Sequence, residues 1–226
     1  EVYSSDIAGN FSGLSVVADE EALPFADASF DLVVSALSLH WVNDLPGTLV
    51  QIRRILKPDG LFVGVLLGGR TLAELRNVLL RAEEEKRGGA AMRVSPVVDV
   101  VEGARLLQRT GFAMPVADAD RRSIRYADPT GLLADLKGMG ETASLASSPG
   151  PLSRSVLARA LELYRSGYAD ADGRIRATFE LVPLSGWAPA PDQPQPKRPG
   201  SARMRLADAL GVEETGTGVR AGAAED

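Results

Sequence analysis

The chain has 226 residues, 25 Lys plus Arg against 30 Asp plus Glu, a net charge of −5 and 45% hydrophobic residues. That balance describes one globular domain, or one domain with an extension, and excludes a wholly disordered chain. With no cysteine and a single histidine, disulfides, thiolate catalysis and Cys- or His-rich metal sites are excluded, and a reducing compartment fits. The acidic balance disfavours nonspecific binding to nucleic acid or anionic lipid. No apolar run approaches the roughly 18–20 residues that cross a bilayer. The chain opens on Glu1 without a visible signal peptide, so the expectation is a fragment or a processed form.

Ser15–Ala18 is the first short strand, ending at Asp19. Phe30–Ala36 is a better one, β-branched in its middle and suited to burial on both faces. Leu45, Leu49, Ile52 and Leu56 mark one helix face, with Asn43 or Asp44 as N-cap and Lys57-Pro58-Asp59-Gly60 as its stop. Leu61–Leu67 is the next strand, closed by Gly68-Gly69, and Leu72, Leu75, Leu79 and Ala82 carry a helix to about Lys86. This rhythm predicts an α/β fold with a mainly parallel sheet.

The second half is less regular. A helix covers Asp99–Arg109, with Gly111 as its stop. Strands follow at Met114–Ala119 and Ser123–Tyr126, then a helix from Asp128-Pro129 through Leu136. Ala143–Pro151 reads as a loop, and Val156, Ala160, Leu163 and Tyr164 as a helix face. Ala177–Gly186 reads as a strand in which Pro183 predicts an edge or a bulge. Residues 188–200 hold five prolines and predict an extended segment, and a disordered tail is expected after Gly211.

Four strings now coincide: Ala18–Phe25 (ADEEALPF), Phe30–Ser35 (FDLVVS), Leu39–Pro46 (LHWVNDLP) and Ile55–Phe62 (ILKPDGLF). Together they resemble the middle of a class I S-adenosylmethionine-dependent methyltransferase domain. Leu37–Pro46, Gly138-Met139-Gly140-Glu141 and Leu184-Ser185-Gly186-Trp187 resemble the respiratory complex I assembly factor 5 family and its bacterial relatives. More distantly, the chain is similar to the malonyl-carrier methyltransferases of biotin synthesis.

The resemblance runs from about Val2 to Gly211. It implies a Rossmann-like α/β sheet that lacks its first strand and glycine-rich turn, with helical insertions in the C-terminal half. The partial domain would occupy 1–187, with a Pro-rich segment and tail over 188–226. It implies S-adenosylmethionine as cofactor and a protein substrate, an arginine of a complex I subunit, which is hydroxylated or methylated. It further implies cytoplasmic residence if the source is bacterial, as the Ala-, Arg- and Gly-rich composition favours, and the mitochondrial matrix or the matrix face of the inner membrane if eukaryotic. Without the first strand, these residues alone are expected to bind the cofactor poorly and to be inactive. The rival reading is a non-catalytic assembly protein that keeps the fold.

By the same resemblance, Asp6 accepts hydrogen bonds from the ribose hydroxyls, and Asp19, with Glu20 beside it, contacts adenine. Ser35 and Ala36 sit at a strand's carboxyl end, where open α/β sheets bind ligands, and are assigned to the methionine end of the cofactor. His40 is the candidate catalytic residue, since its intrinsic pKa suits a general base; the alternative is packing beside Trp41. Leu23 and Phe25 are expected in the core, Trp41 as a pocket wall or core residue, and Asp31 as a structural acid bonding backbone N–H groups. Arg70 is placed at a helix start, against the dipole, where the family carries an acid. Glu83–Arg87 reads as a solvated face. Gly138-Met139-Gly140 reads as a turn after a helix. Lys197, Arg198, Arg203 and Arg205 are too sparse, and too poor in aromatics, for nucleic acid.

Overall fold

The computed structural model describes residues 1–9, 13–91, 93–95, 97–142, 150–193, 201, 204 and 206–212. The chain divides into Glu1–Pro191 and Asp192–Asp226. Lys197, Arg198, Arg203 and Arg205, most of the Ala143–Pro151 loop and the expected tail lie outside the described residues.

In the larger unit, β1 (Ser5–Asp6) and β2 (Val16–Val17) pair in parallel. Then follow β3 (Phe30–Ala36), α1 (Leu45–Ile55), β4 (Leu56–Leu67), α2 (Ala73–Arg87), α3 (Val100–Arg109), β5 (Ala113–Ala117) and β6 (Asp120–Tyr126). The unit closes with α4 (Pro129–Gly138), α5 (Arg154–Tyr168) and β7 (Ile175–Trp187). The second unit contributes α6 (Leu206–Leu210). The main sheet runs β3-β4-β7-β5, with β6 also on β7. β3 and β4 are parallel, while β7 is antiparallel to all three of its neighbours.

Local chemistry sets the boundaries. Asp44 Oδ1 accepts from the Gly47 N–H at 2.9 Å and Asp99 Oδ1 from the Glu102 N–H at 2.8 Å, so each carboxylate satisfies a free donor at a helix start. The helix over Leu45 ends at Ile55, but Lys57-Pro58-Asp59-Gly60 is no loop. It is an irregularity inside β4: Phe30 pairs with Leu56, and the next partners are Leu32 and Leu61. Asp59 takes the turn at φ 60°.

Pro183 is neither at an edge nor in a bulge; it lies in a central strand, opposite Val65 of β4. Its carbonyl accepts from the Asp118 N–H. N and C=O of one strand residue face the same side, so the missing N–H is turned toward the β5–β6 connection. There the ladder passes from Ala117 to Asp120 and needs no donor.

Two cores result. Phe62, Leu66, Val182 and Leu184 pack with Leu49, Ile52 and Leu107 beneath α1 and α3. Ile175 and Ala177, on the opposite face of β7 by alternation, pack with α2, α4 and α5 through Leu79, Leu132 and Tyr164. Farther along that second face, Leu32 and Val34 of β3 are exposed.

Asp128 caps α4. It accepts from the Thr130 N–H and hydroxyl and pairs with Arg165 of α5. The Thr130 N–H, the Arg165 guanidinium and the Thr130 hydroxyl hold its pKa down at about 2, against an ordinary 3.8. Asp128→Ala is expected to cost about 1 kcal/mol at neutral pH, as loss of a cap does. A depressed folded-state pKa gives stability that is complete above the ordinary value and lost as pH falls toward about 2. Urea midpoints of wild type and variant should therefore converge in acid.

Candidate functional site

A cleft of about 400 Å³ lies between β1 and β3 and runs from Phe30 at the amino end of β3 to Ser35 and Ala36 at its carboxyl end. Asp6, Glu20, Ser35 and Ala36, far apart in sequence, all line it. Asp6 Oδ1 is held by the Ala8 N–H at 2.7 Å, leaving its other oxygen turned to no described partner. Asp19 does not line the cleft; it caps the adjoining turn by accepting from the Glu21 N–H at 2.9 Å. Leu23 and Phe25 are half-buried cleft walls, and Phe25 meets Phe30 edge-on at 5.1 Å between ring centroids. Leu23 also packs against the first core as expected; Phe25, expected in the core, is on the cleft, where its ring is set against Phe30 of β3.

The loop from Leu37 to Asp44 separates this cleft from a second cavity of about 390 Å³. Ser38 and Leu39 face the first, His40 and Trp41 the second. Glu21, not singled out from the sequence, fastens this loop: its carboxylate accepts from the Asn43 and Asp44 N–H groups.

His40 is buried at the polar end of the second cavity. Its Nε2 lies 3.0 Å from Glu141 Oε1, while Nδ1 is buried without a partner among the described residues. Glu141 is delivered by backbone geometry. α4 ends with Gly140 at φ 79°, the Gly140 N–H bonded to Lys137 O and the Glu141 N–H bonded to Leu136 O. That is the glycine-dependent helix ending in which the next residue is turned back along the helix. Gly138-Met139-Gly140 is thus the turn expected, and its task is to aim Glu141.

The cavity wall corrects another expectation. Glu83 is not on a solvated face; it is buried and bonded to the Ala91 N–H and the Arg93 guanidinium, with Arg87 at 3.6 Å. Burial pushes its carboxyl up, but the Ala91 N–H, Arg93 and Arg87 together outweigh it and hold the pKa below the ordinary value. Glu84 to Arg87 are exposed as expected, and Glu85 bridges to Arg159 and Arg81. Arg70 precedes α2, whose N-cap is Leu72, so it does not oppose the dipole at a helix start. Asp31 pairs with Lys57 on the surface at 2.9 Å rather than with backbone N–H groups, because β3 leaves it outside the cleft. Trp41 is a wall of the second cavity.

Removing one member of a buried ion pair strands the other, at a cost of about 3–5 kcal/mol. Glu83→Ala should therefore lower the unfolding free energy by that order, and the double variant Glu83→Leu/Arg93→Met should recover most of it. Chemical denaturation of the three proteins checks both outcomes.

Residues 4–64 match the family model for a methyltransferase domain. The chain is 43% identical over 193 residues to the mitochondrial arginine-hydroxylase NDUFAF5 of Danio rerio, covering 85% of this chain and 60% of that protein. The human protein of the same name is 43% identical over 195 residues, with 86% and 56% covered. A malonyl-[acyl-carrier protein] O-methyltransferase of Gallionella capsiferriformans is 37% identical over 184 residues, with 81% and 61% covered. The chain thus spans about three-fifths of the length of the curated relatives it matches. Among solved structures, a Bacillus halodurans protein described as a methyltransferase shares the fold at a TM-score of 0.50 and 14% identity, with 78% of each chain covered.

Proposed function

We propose that this chain is a class I methyltransferase-superfamily protein akin to the NDUFAF5 arginine-hydroxylases it resembles, and that it binds S-adenosylmethionine and modifies an arginine of a respiratory complex I subunit during assembly. The observation that carries the cofactor reading is the convergence of Asp6, Glu20, Ser35 and Ala36 on one cleft. Its volume of about 400 Å³ lies within the range of roughly 300–1,000 Å³ for small-molecule sites.

The donor set fits. Asp6 keeps one oxygen for a vicinal diol, since a carboxylate accepts only. Glu20 flanks the adenine end, and Asp19 holds the turn beside it. Ser35 and Ala36 receive the methionine end where β3 leaves backbone groups free. When bound, S-adenosylmethionine supplies an electrophilic methyl on a sulfonium. A guanidinium stays protonated at ordinary pH, so an arginine substrate needs a base, and His40 held by Glu141 is our assignment for it.

Hydroxylation, the activity in the relatives' name, is the finer reading; its oxygen and electrons would come from an oxidant and a reductant outside this chain. We place the protein in the mitochondrion if its source is eukaryotic, as the relatives' name supports, with the matrix or the matrix face of the inner membrane as the finer reading, and in the cytoplasm if bacterial. No helix among the described residues is long and apolar enough to cross a membrane.

Mass spectrometry of the complex I subunits from cells with and without the gene tests the reaction. A gene-dependent gain of one oxygen on arginine is the expected result, and a gain of one methylene would mean methyl transfer. An unmodified subunit in cells that contain the protein would favour a non-catalytic assembly role. In the whole gene product, Asp6→Ala is expected to weaken cofactor binding by about 1–3 kcal/mol, the scale of hydrogen bonds to charged groups, with circular dichroism little changed, and Asp19→Ala, which removes only the cap of the adjoining turn, by less. Wild-type affinity in Asp6→Ala would overturn the cofactor assignment.

A further inference from the structure

The second cavity has an apolar body and one polar end. Leu72, Leu75, Leu133 and Leu136 wall it, and His40 with Glu141 closes it. Arg93 also lines it, with its charge answered by buried Glu83: Nε and Nη2 donate to that carboxylate and Nη1 donates to the Gly150 carbonyl, three of its five N–H groups. The Thr71 hydroxyl is likewise committed, donating to the Glu180 carbonyl. Ser95 and Thr142 bring hydroxyls that serve as donor or acceptor alike.

At the end closed by His40 and Glu141, what is left over is an acceptor. Glu141 gives Oε1 to His40 and keeps Oε2 without a partner among the described residues. With Nε2–H donating to that carboxylate, His40 Nδ1 is buried with no bond among the described residues and is closed to a ligand, so Glu141 Oε2 is the acceptor left at this end. An acceptor-only carboxylate suits a donor. A carboxylate brings only acceptors, while a guanidinium brings five N–H donors, a positive charge and a methylene stem that packs on leucine. Trp41 adds an aromatic wall, its ring 5.5 Å from that of His40, and aromatic faces attract cations.

We propose that the second cavity is the pocket for the substrate side chain, that it takes a cationic, donor-rich group on an apolar stem, and that Glu141 is its specificity-determining residue. The inference rests on the reading above that the substrate is a protein side chain, and it adds where that side chain enters and what selects it.

Calorimetry on the whole gene product tests it with three capped tripeptides of Ala-X-Ala form, where X is arginine, citrulline or glutamate. Arginine should bind about tenfold to a hundredfold more tightly than citrulline, the value of a charge-assisted hydrogen bond, and glutamate should not compete. Glu141→Gln should reduce the arginine preference to near unity, and Glu141→Asp should keep part of it. A preference for glutamate, equal binding of arginine and citrulline, or no binding of the arginine peptide overturns the proposal, and these wild-type comparisons need no variant to fold. The same samples are titrated with S-adenosylhomocysteine. Arginine selectivity without nucleoside binding would sink the cofactor reading alone. Nucleoside binding without arginine selectivity would sink the pocket alone.

Discussion

Glu180 stands in the central strand β7 with 4% of its side chain exposed, and a carboxylate that deep must be answered by its surroundings. Arg121 of β6 donates to Oε2, and the Arg70 N–H approaches Oε1 at 3.4 Å. The Glu180 backbone is bonded to the Thr71 hydroxyl in both directions and to the Gly68 N–H. Gly68 has to be glycine here, since a Cβ would come within 2.5 Å of Val182 and 2.9 Å of Glu180 Oε1. The link from β4 to α2 is thereby clamped to β7. α2 starts where that clamp releases it, and its leucines become one wall of the second cavity.

The loop after β3 answers to a related demand. It must serve two cavities with four residues, and it holds Leu37 at φ 56°, a conformation that costs a non-glycine residue energy. Several bonds hold it there. Ser35 Oγ and Ser38 Oγ are 3.0 Å apart, the Trp41 N–H is bonded to Ser38 O, and Glu21 holds the next two N–H groups. Strain of this sort persists only where the surroundings over-determine it. Here it keeps Leu39 buried in the core while His40 turns the other way.

Much of this was legible in the sequence wherever the signal was local. Phe30–Ala36 is a strand over its full predicted length, Asp44 is the cap of its helix, and the helix expected from Asp99 starts at Val100 with Asp99 as its cap. Asp6, Glu20, Ser35 and Ala36 could be grouped because strand ends are readable and strand ends gather in α/β folds. Glu141 could not, since its partner His40 is 101 residues away and nothing in a Gly-Met-Gly-Glu string says which side chain the turn will meet. Glu83 was misread for the same reason. A run of three acids looks solvated until Arg93, ten residues on, folds back over the first of them. Pro183 looked like an edge residue because a proline's missing donor is visible in sequence while the gap between β5 and β6 that tolerates it is not.

The His40–Glu141 contact is made between the third strand's loop and the end of the fourth helix, elements that share no local folding code. Until both halves of the larger unit have docked, the carboxylate and the imidazole remain strangers, and the leucines of α2 and α4 that wall the cavity face water separately. The polar end of the cavity is therefore a late product of assembly. A partly folded chain, however rich in its correct helices and strands, has not yet brought that carboxylate and imidazole together, so whatever the pair does arrives together with the native state.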